Sequence, residues 1–295
     1  MPAAITHFLH SQRVLAGIKQ AGRETFSPEA FAWGAQGPDF FYCHRFLPWW
    51  RGQSLAGWGD RLHDAPPAET LASMWRYVKA HPEDRYARSY AQGFLCHYAA
   101  DSVCHPFVEY RASLMAKENP PQTESVCHNE IESALDLIML RSERGALPSE
   151  LPLRRTVPRC RPAERSIAKL YQQVLLDLFH ESVTEKLLLQ CLKDCRKIFS
   201  LLTDRTGLKK NIVRAWEGEK EHTISCHIRG LMETDEYDYA NIHHDVWRWP
   251  LDSVQERRES FPELYEQAVA LAVRYLQEAP SCTDFAALTG NRPFV

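Results

Sequence analysis

Three residues of coordinating type, His97, Asp101 and His105, recur every four positions in "HYAADSVCHPF". On a helix turning ~100° per residue, positions i, i+4 and i+8 drift only ~80° around the axis, so the three share one face. Phe94, Leu95, Tyr98, Ala99 and Val103 surround them with apolar side chains. A carboxylate enclosed in such company is costly unless it is paired. The face is therefore either solvated or committed to a partner, and a metal ion is one partner that serves. The stretch "HNEIESALDLIML" repeats the arrangement, with His128 and Glu132 four apart, Asp136 a further turn along, and Ile131, Leu135, Ile138 and Met139 as an apolar flank.

One His-x-x-x-Asp or His-x-x-x-Glu pair alone is a weak signal that fits a surface ion pair far better than a metal site. Two such helices, with Asp39 and His63 in an aromatic-rich segment upstream, point to a shared ion. A helix donates two ligands at i, i+4 without distortion, and imidazole with carboxylate suits zinc among the common ions.

The elements that must position these residues read as helices. "AETLASMWRYVKAH", "ERSIAKLYQQVLLDLFHESV", "TEKLLLQCLKDCRKIFSLL" and "PELYEQAVALAVRYLQEA" repeat apolar residues at three- and four-residue steps, and strand signals are almost missing. The expected fold is all-α. Breaks fall at "SPEA", "GPDFFYCHRFLPWWRGQ", "KENPPQTES" and "LPSELPLRRTVPRCRP". The expected organisation is a single all-helical domain over 1–295, with a His-rich metal-binding half at 1–146, a Pro-rich connector at 147–163 and a helical packing half at 164–295. At 44% hydrophobic residues the chain is too apolar for disorder, and no internal repeat is visible.

The balance of 35 Lys+Arg against 38 Asp+Glu carries no bulk-charge signature of a nucleic-acid binder. The N-terminal residues lack a basic stretch followed by an apolar run, and no segment approaches the ~18 apolar residues of a membrane span, so a cytoplasmic protein is expected. Nine cysteines, an odd number, fit reduced thiols, with Cys191 and Cys195 read as core residues. Neither a GxSxG nucleophile motif nor an amphipathic basic helix for lipid binding is evident.

"HYAAD", "CHPF" and "HNEIES", with "GPDFFY" and "LHD" upstream, resemble the zinc-dependent phospholipase C family, whose fold fungal single-strand nucleases share. The resemblance runs from residue 1 to about residue 140, in the order Asp, His, His-x-x-x-Asp, His, His-x-x-x-Glu. It implies a multi-helix bundle holding two or three zinc ions. His97, Asp101, His63 and Asp39 correspond to ligands of a first zinc, and His105, His128 and Glu132 to those of a second. Asp101 would bridge to a third, joined by His7, whose alternative is a helix-start or core histidine. His105 departs from the family spacing and precedes Pro106, so either the helix ends there and swings His105 onto the second ion, or His105 is not a ligand. Asp136 is expected to accept a hydrogen bond from a ligand histidine.

The implied reaction is hydrolysis of a phosphoester by water activated at the zinc centre, with Asp39 as base or positioner and a phospholipid among the candidate substrates. Two alternatives stay open: a nuclease or small-phosphodiester hydrolase on the same site, and a non-catalytic helical protein with structural zinc. Tyr42, Phe46, Trp49 and Trp50 either line a mouth for an apolar group or anchor loops. His44, beside Arg45, is either a phosphate contact or a loop residue. His243 and His244 read as capping or packing residues.

Overall fold

Polar residues at the breaks set where helices begin. Ser27 accepts from Ala30 N and is followed by Pro28, starting α2 (Pro28–Gly34). Thr123 accepts from Val126 N at the start of α6 (Glu124–Arg144), which ends where Gly145 turns left-handed. Ser260 and Glu263 form a reciprocal capping box on α10 (Phe261–Glu278). The computed structural model describes residues 3–18, 26–47, 49–233, 237–250 and 252–294. Among them the fold is all-α, as expected: eleven helices and one short hairpin of β1 (Trp247–Trp249) and β2 (Asp252–Arg257), antiparallel with Trp247 opposite Arg257.

The axis of the fold is α5 (Arg85–Glu118), packed by α1 (Ala4–Gly17), α2, α4 (Pro67–Ala80), α6, α7 (Arg161–Phe179) and α10. Asp84 starts it by accepting from Tyr86 N and Ala87 N, each at 3.0 Å, and the same carboxylate accepts the Ser166 hydroxyl of α7. Its helix does not end at His105. Pro106 removes one backbone donor, yet the helix continues to Glu118 because Phe107 is fully buried against Trp247 and Phe261. Packing of α2 on α5 needs two glycines: a Cβ on Gly34 would stand 2.1 Å from Tyr90 O, and one on Gly93 2.2 Å from Phe31 O.

Asp136 differs from its expected role. Its Oδ1 accepts from Thr6 N at 2.7 Å and Thr6 Oγ1 at 2.9 Å, and its Oδ2 accepts from Arg229 Nε at 3.0 Å. It therefore ties α6 directly to α1 through Thr6 and separately to buried Arg229, and none of these partners is a ligand histidine. Farther along, α8 (Glu185–Leu202) packs its apolar face on the 3₁₀ turn Asp39–Cys43, where Cys191 and Cys195 are buried free thiols.

A second correction concerns α9 (Leu208–Glu217), between α8 and the short 3₁₀ turn Ser225–His227. It is an amphipathic basic helix, which the sequence reading did not find, because ten residues are too few for periodicity to stand out. The remaining helices are α3 (Gly57–Asp64), beside the Asp39–Cys43 turn, and α11 (Phe285–Thr289), on α4. No helix among the described residues is long and apolar enough to cross a membrane.

Candidate metal centre

Five elements bring all eight expected residues together. His7 comes from α1, Asp39 from the first residue of its 3₁₀ turn, His63 from the end of α3, His97, Asp101 and His105 from α5, and His128 and Glu132 from α6. Their donor atoms fall into three groups among the described residues: His7, Asp39 and His97; His63, His97 and Asp101; and His105, His128 and Glu132. Within each group the atoms lie within 4.8 Å of one another.

Asp101 is the hub. Its Oδ2 is 3.0 Å from His97 Nε2 and 3.7 Å from His63 Nε2, and its Oδ1 is 3.1 Å from His7 Nε2 and 3.9 Å from His105 Nε2. Asp39 adds Oδ1 at 3.3 Å from His63 Nε2 and Oδ2 at 3.8 Å from His97 Nδ1. In the other group Glu132 Oε1 stands 3.4 Å from His105 Nε2 and 3.3 Å from His128 Nε2. His105 thus faces both groups although its helix runs on. His7 stands beside Asp101, where the third-ion reading needs it, and also shares a group with Asp39 and His97.

These contacts leave much of the site's bonding capacity unused. Asp39 Oδ2, Asp101 Oδ2, Glu132 Oε2, His105 Nδ1 and both ring nitrogens of His97 are buried and make no hydrogen bond. Buried polar atoms are ordinarily paired, and so many orphans converging on one region is what a site built for cations leaves behind. The donor set of imidazoles and carboxylates fits zinc. Burial alone would raise Asp101, but His105, His97 and His7 hold it well below the usual carboxylate range. Glu132 is held low in the same way by His128 and His105 against burial. Burial outweighs the neighbouring carboxylates at His97 and lowers it, leaving the neutral imidazole a metal requires.

Local structure fixes the rings. His63 Nδ1 is 2.8 Å from Gly59 O one turn back, which directs Nε2 at the carboxylates. Gly37 adopts φ +53°, and a Cβ there would stand 2.1 Å from the His97 ring, so the turn before Asp39 is moulded on that imidazole.

Three features escaped the sequence reading. Glu109 Oε1 lies 3.1 Å from His128 Nδ1; the signal was the His105-x-x-x-Glu109 spacing. Tyr42 Oη reaches His63 Nδ1 at 3.4 Å. Phe294 is fully buried against His63, His97 and Tyr98, with centroid separations of 5.2, 6.0 and 5.0 Å, and no local pattern announced it.

Beside the metal groups a cleft of about 440 Å³ opens, lined by Asp39, His63, His105, His128 and Glu132 together with Tyr42, Asp60, Asp64, Glu109 and Glu124. Of the four aromatics proposed for a mouth, Tyr42 lines it. Phe46 packs on His227, Trp50 lies under Lys197 and Trp49 is exposed. His44 is buried with Nδ1 accepting from Leu55 N, and Arg45 donates to Gln53 O, so both act in the loop. His243 and His244 are exposed and bond to Asp238 and to Arg258 O.

The helical scaffold thus gathers three histidine–carboxylate groups able to hold a metal ion. The chain belongs to the zinc-dependent phospholipase C family, whose model matches residues 6–195, a span containing all eight of these residues. No curated protein and no solved structure matches it significantly.

Proposed function

We propose that the protein is a zinc-dependent phosphodiesterase of phospholipase C type, acting on a phosphodiester whose alcohol group carries a positive charge. The observation that supports the choice of substrate is the charge of the cleft's lining. Asp60, Asp64, Glu109 and Glu124 stand in it with no lysine or arginine among the described lining residues. Such a lining repels the repeated phosphates of a nucleic acid and attracts a cationic head group.

His63, His97, Asp101 and Asp39 are the proposed ligands of one zinc, and His105, His128 and Glu132 those of a second. His7 with Asp101 completes a third position. Zinc in such a site supplies Lewis acidity, lowering the pKa of water and taking up charge on phosphoryl oxygens. Asp39 lines the cleft with Oδ2 free of hydrogen bonds, placed to orient an attacking water and accept its proton. Glu109 holds His128 from behind. The odd count of nine cysteines fits a reducing compartment, and we place the protein in the cytoplasm on that ground.

Metal analysis of the purified protein, followed by assays on p-nitrophenyl phosphorylcholine, bis-p-nitrophenyl phosphate and short single-stranded DNA, tests the reading. At least two zinc ions per chain and preference for the phosphorylcholine ester are expected. Preference for DNA would replace it with the nuclease reading, and tightly held metal without turnover on any of the three would make the zinc structural.

A further inference from the structure

Helix α9 is built inside out. Its charged side chains face the protein: Lys210 Nζ donates to Glu130 Oε1 at 2.8 Å, Arg214 Nη2 lies 3.9 Å from the same oxygen, and buried Glu217 accepts from Ile224 N at 2.7 Å. Its large apolar side chains face out. Leu208, Ile212 and Trp216, at i, i+4 and i+8, are 61%, 66% and 77% exposed. A helix on the surface of a globular protein normally presents the reverse arrangement. The ion pairs to Glu130 fix the rotation of α9, so the outward stripe cannot turn inward without leaving Glu130 buried and unpaired.

We propose that α9 docks this protein on the surface of an anionic phospholipid bilayer, with Leu208, Ile212 and Trp216 inserted at the level of the head groups. The charge around the stripe selects this occupant. Residues 205–216, "RTGLKKNIVRAW", contain four basic residues and no acidic one; Lys210 and Arg214 are turned to Glu130, which leaves Arg205 and Lys209 as the cations beside the stripe. Arg205 is exposed, and Lys209, half-buried at the edge of the stripe, caps the end of α8 through Leu201 O at 2.9 Å and Thr203 O at 2.6 Å. An apolar ridge bordered by cations complements anionic head groups, and tryptophan favours that depth. Glu130 belongs to α6, two residues from both His128 and Glu132, so the docking helix is tied to the element that carries the candidate metal residues. The inference deepens the phospholipase C reading by placing the substrate in a membrane. It lies outside the span of the family match.

Co-sedimentation of the full chain with phosphatidylcholine vesicles, with and without phosphatidylglycerol, tests it, alongside turnover of soluble p-nitrophenyl phosphorylcholine. Wild type should bind the anionic vesicles preferentially and release them as salt rises. The double variant Ile212→Ser/Trp216→Ser should bind at least ~10-fold more weakly, while its thermal unfolding and its turnover of the soluble ester stay at wild-type values. Arg205→Glu should lose the preference for anionic lipid. Unchanged vesicle binding by the double variant overturns the proposal, as does a concentration-dependent dimer that the same variant abolishes. Vesicle binding that depends on α9, in a protein that hydrolyses no phosphodiester, would uphold docking and remove the enzymatic reading instead.

Discussion

Glu109 Oε1 sits 3.1 Å from Nδ1 of His128, whose other nitrogen, Nε2, faces Glu132 at 3.3 Å. The pairing fixes the tautomer: a proton held on Nδ1 leaves the Nε2 lone pair for a metal. Replacing Glu109 with Ala should weaken zinc binding at this group by ~10- to 100-fold, the usual range for a partner behind a ligand. Glu109→Gln, which still offers an oxygen, should recover part of the loss. Competition titration with a chromophoric chelator measures both, and wild-type affinity in Glu109→Ala would leave Glu109 a carboxylate of the cleft's lining and no more.

Gly37 is under two constraints at once. At φ +53° any other residue carries a left-handed penalty of ~1–2 kcal/mol. The added Cβ would also press into the His97 ring, which cannot retreat from Phe294 and Phe94 behind it. Gly37→Ala should lower Tm and reduce bound zinc together. A variant that lost stability but kept its full complement of metal would show that His97 is not held by this turn.

Acidity should act in opposite directions on the metal-free and metal-loaded protein. Burial alone would lower His7, but Asp101 beside it outweighs burial and raises the imidazole to about 9. At His128, burial is likewise outweighed by Glu132 and Glu109, and the group rises to about 9. A histidine whose folded pKa exceeds its unfolded value of ~6.5 adds stability that is complete below 6.5 and drains away as pH rises through the folded value. The metal-free protein should therefore lose stability between about pH 6.5 and 9. Zinc competes with those same protons, so its contribution grows over that interval. Calorimetric scans before and after chelation should give a Tm difference that widens with pH, and a constant difference would show that these histidines do not exchange protons for metal.

The sequence carried the helices and the metal-ligand candidates because both are periodic: a turn of helix is also the spacing that sets two donors on one face. What it did not carry depends on pairings across the chain. Asp136, a turn beyond Glu132, reads as an acceptor for a ligand histidine, yet its partners are Thr6 and Arg229. Phe294 closes the wall behind His63 and His97 from the far end of the chain, where no local pattern links it to them. At Pro106 the local rule for ending a helix gave way to the burial of Phe107. The stripe on α9 was missed for a different reason: its exposure follows from which way the helix is rolled, and that is decided by Glu130 on another element.

Asp39 allows binding of metal to be separated from chemistry. Its Oδ1 lies 3.3 Å from His63 Nε2, its buried Oδ2 makes no hydrogen bond, and the residue lines the cleft. Asparagine in its place keeps the volume and one oxygen, so the group of His63, His97 and Asp101 should retain most of its zinc. The group able to orient and deprotonate water would be gone. Turnover of a phosphodiester by Asp39→Asn should fall by ~10²-fold or more, the scale of general-base removal. His128→Ala, by contrast, should empty the group of His105 and Glu132 and lower Tm, since it removes a donor and leaves Glu132 buried beside fewer cations. Metal content, Tm and rate measured on both variants separate the roles. Full turnover in a fully metallated Asp39→Asn protein would take Asp39 out of the chemistry and leave water activation to the metal centre alone.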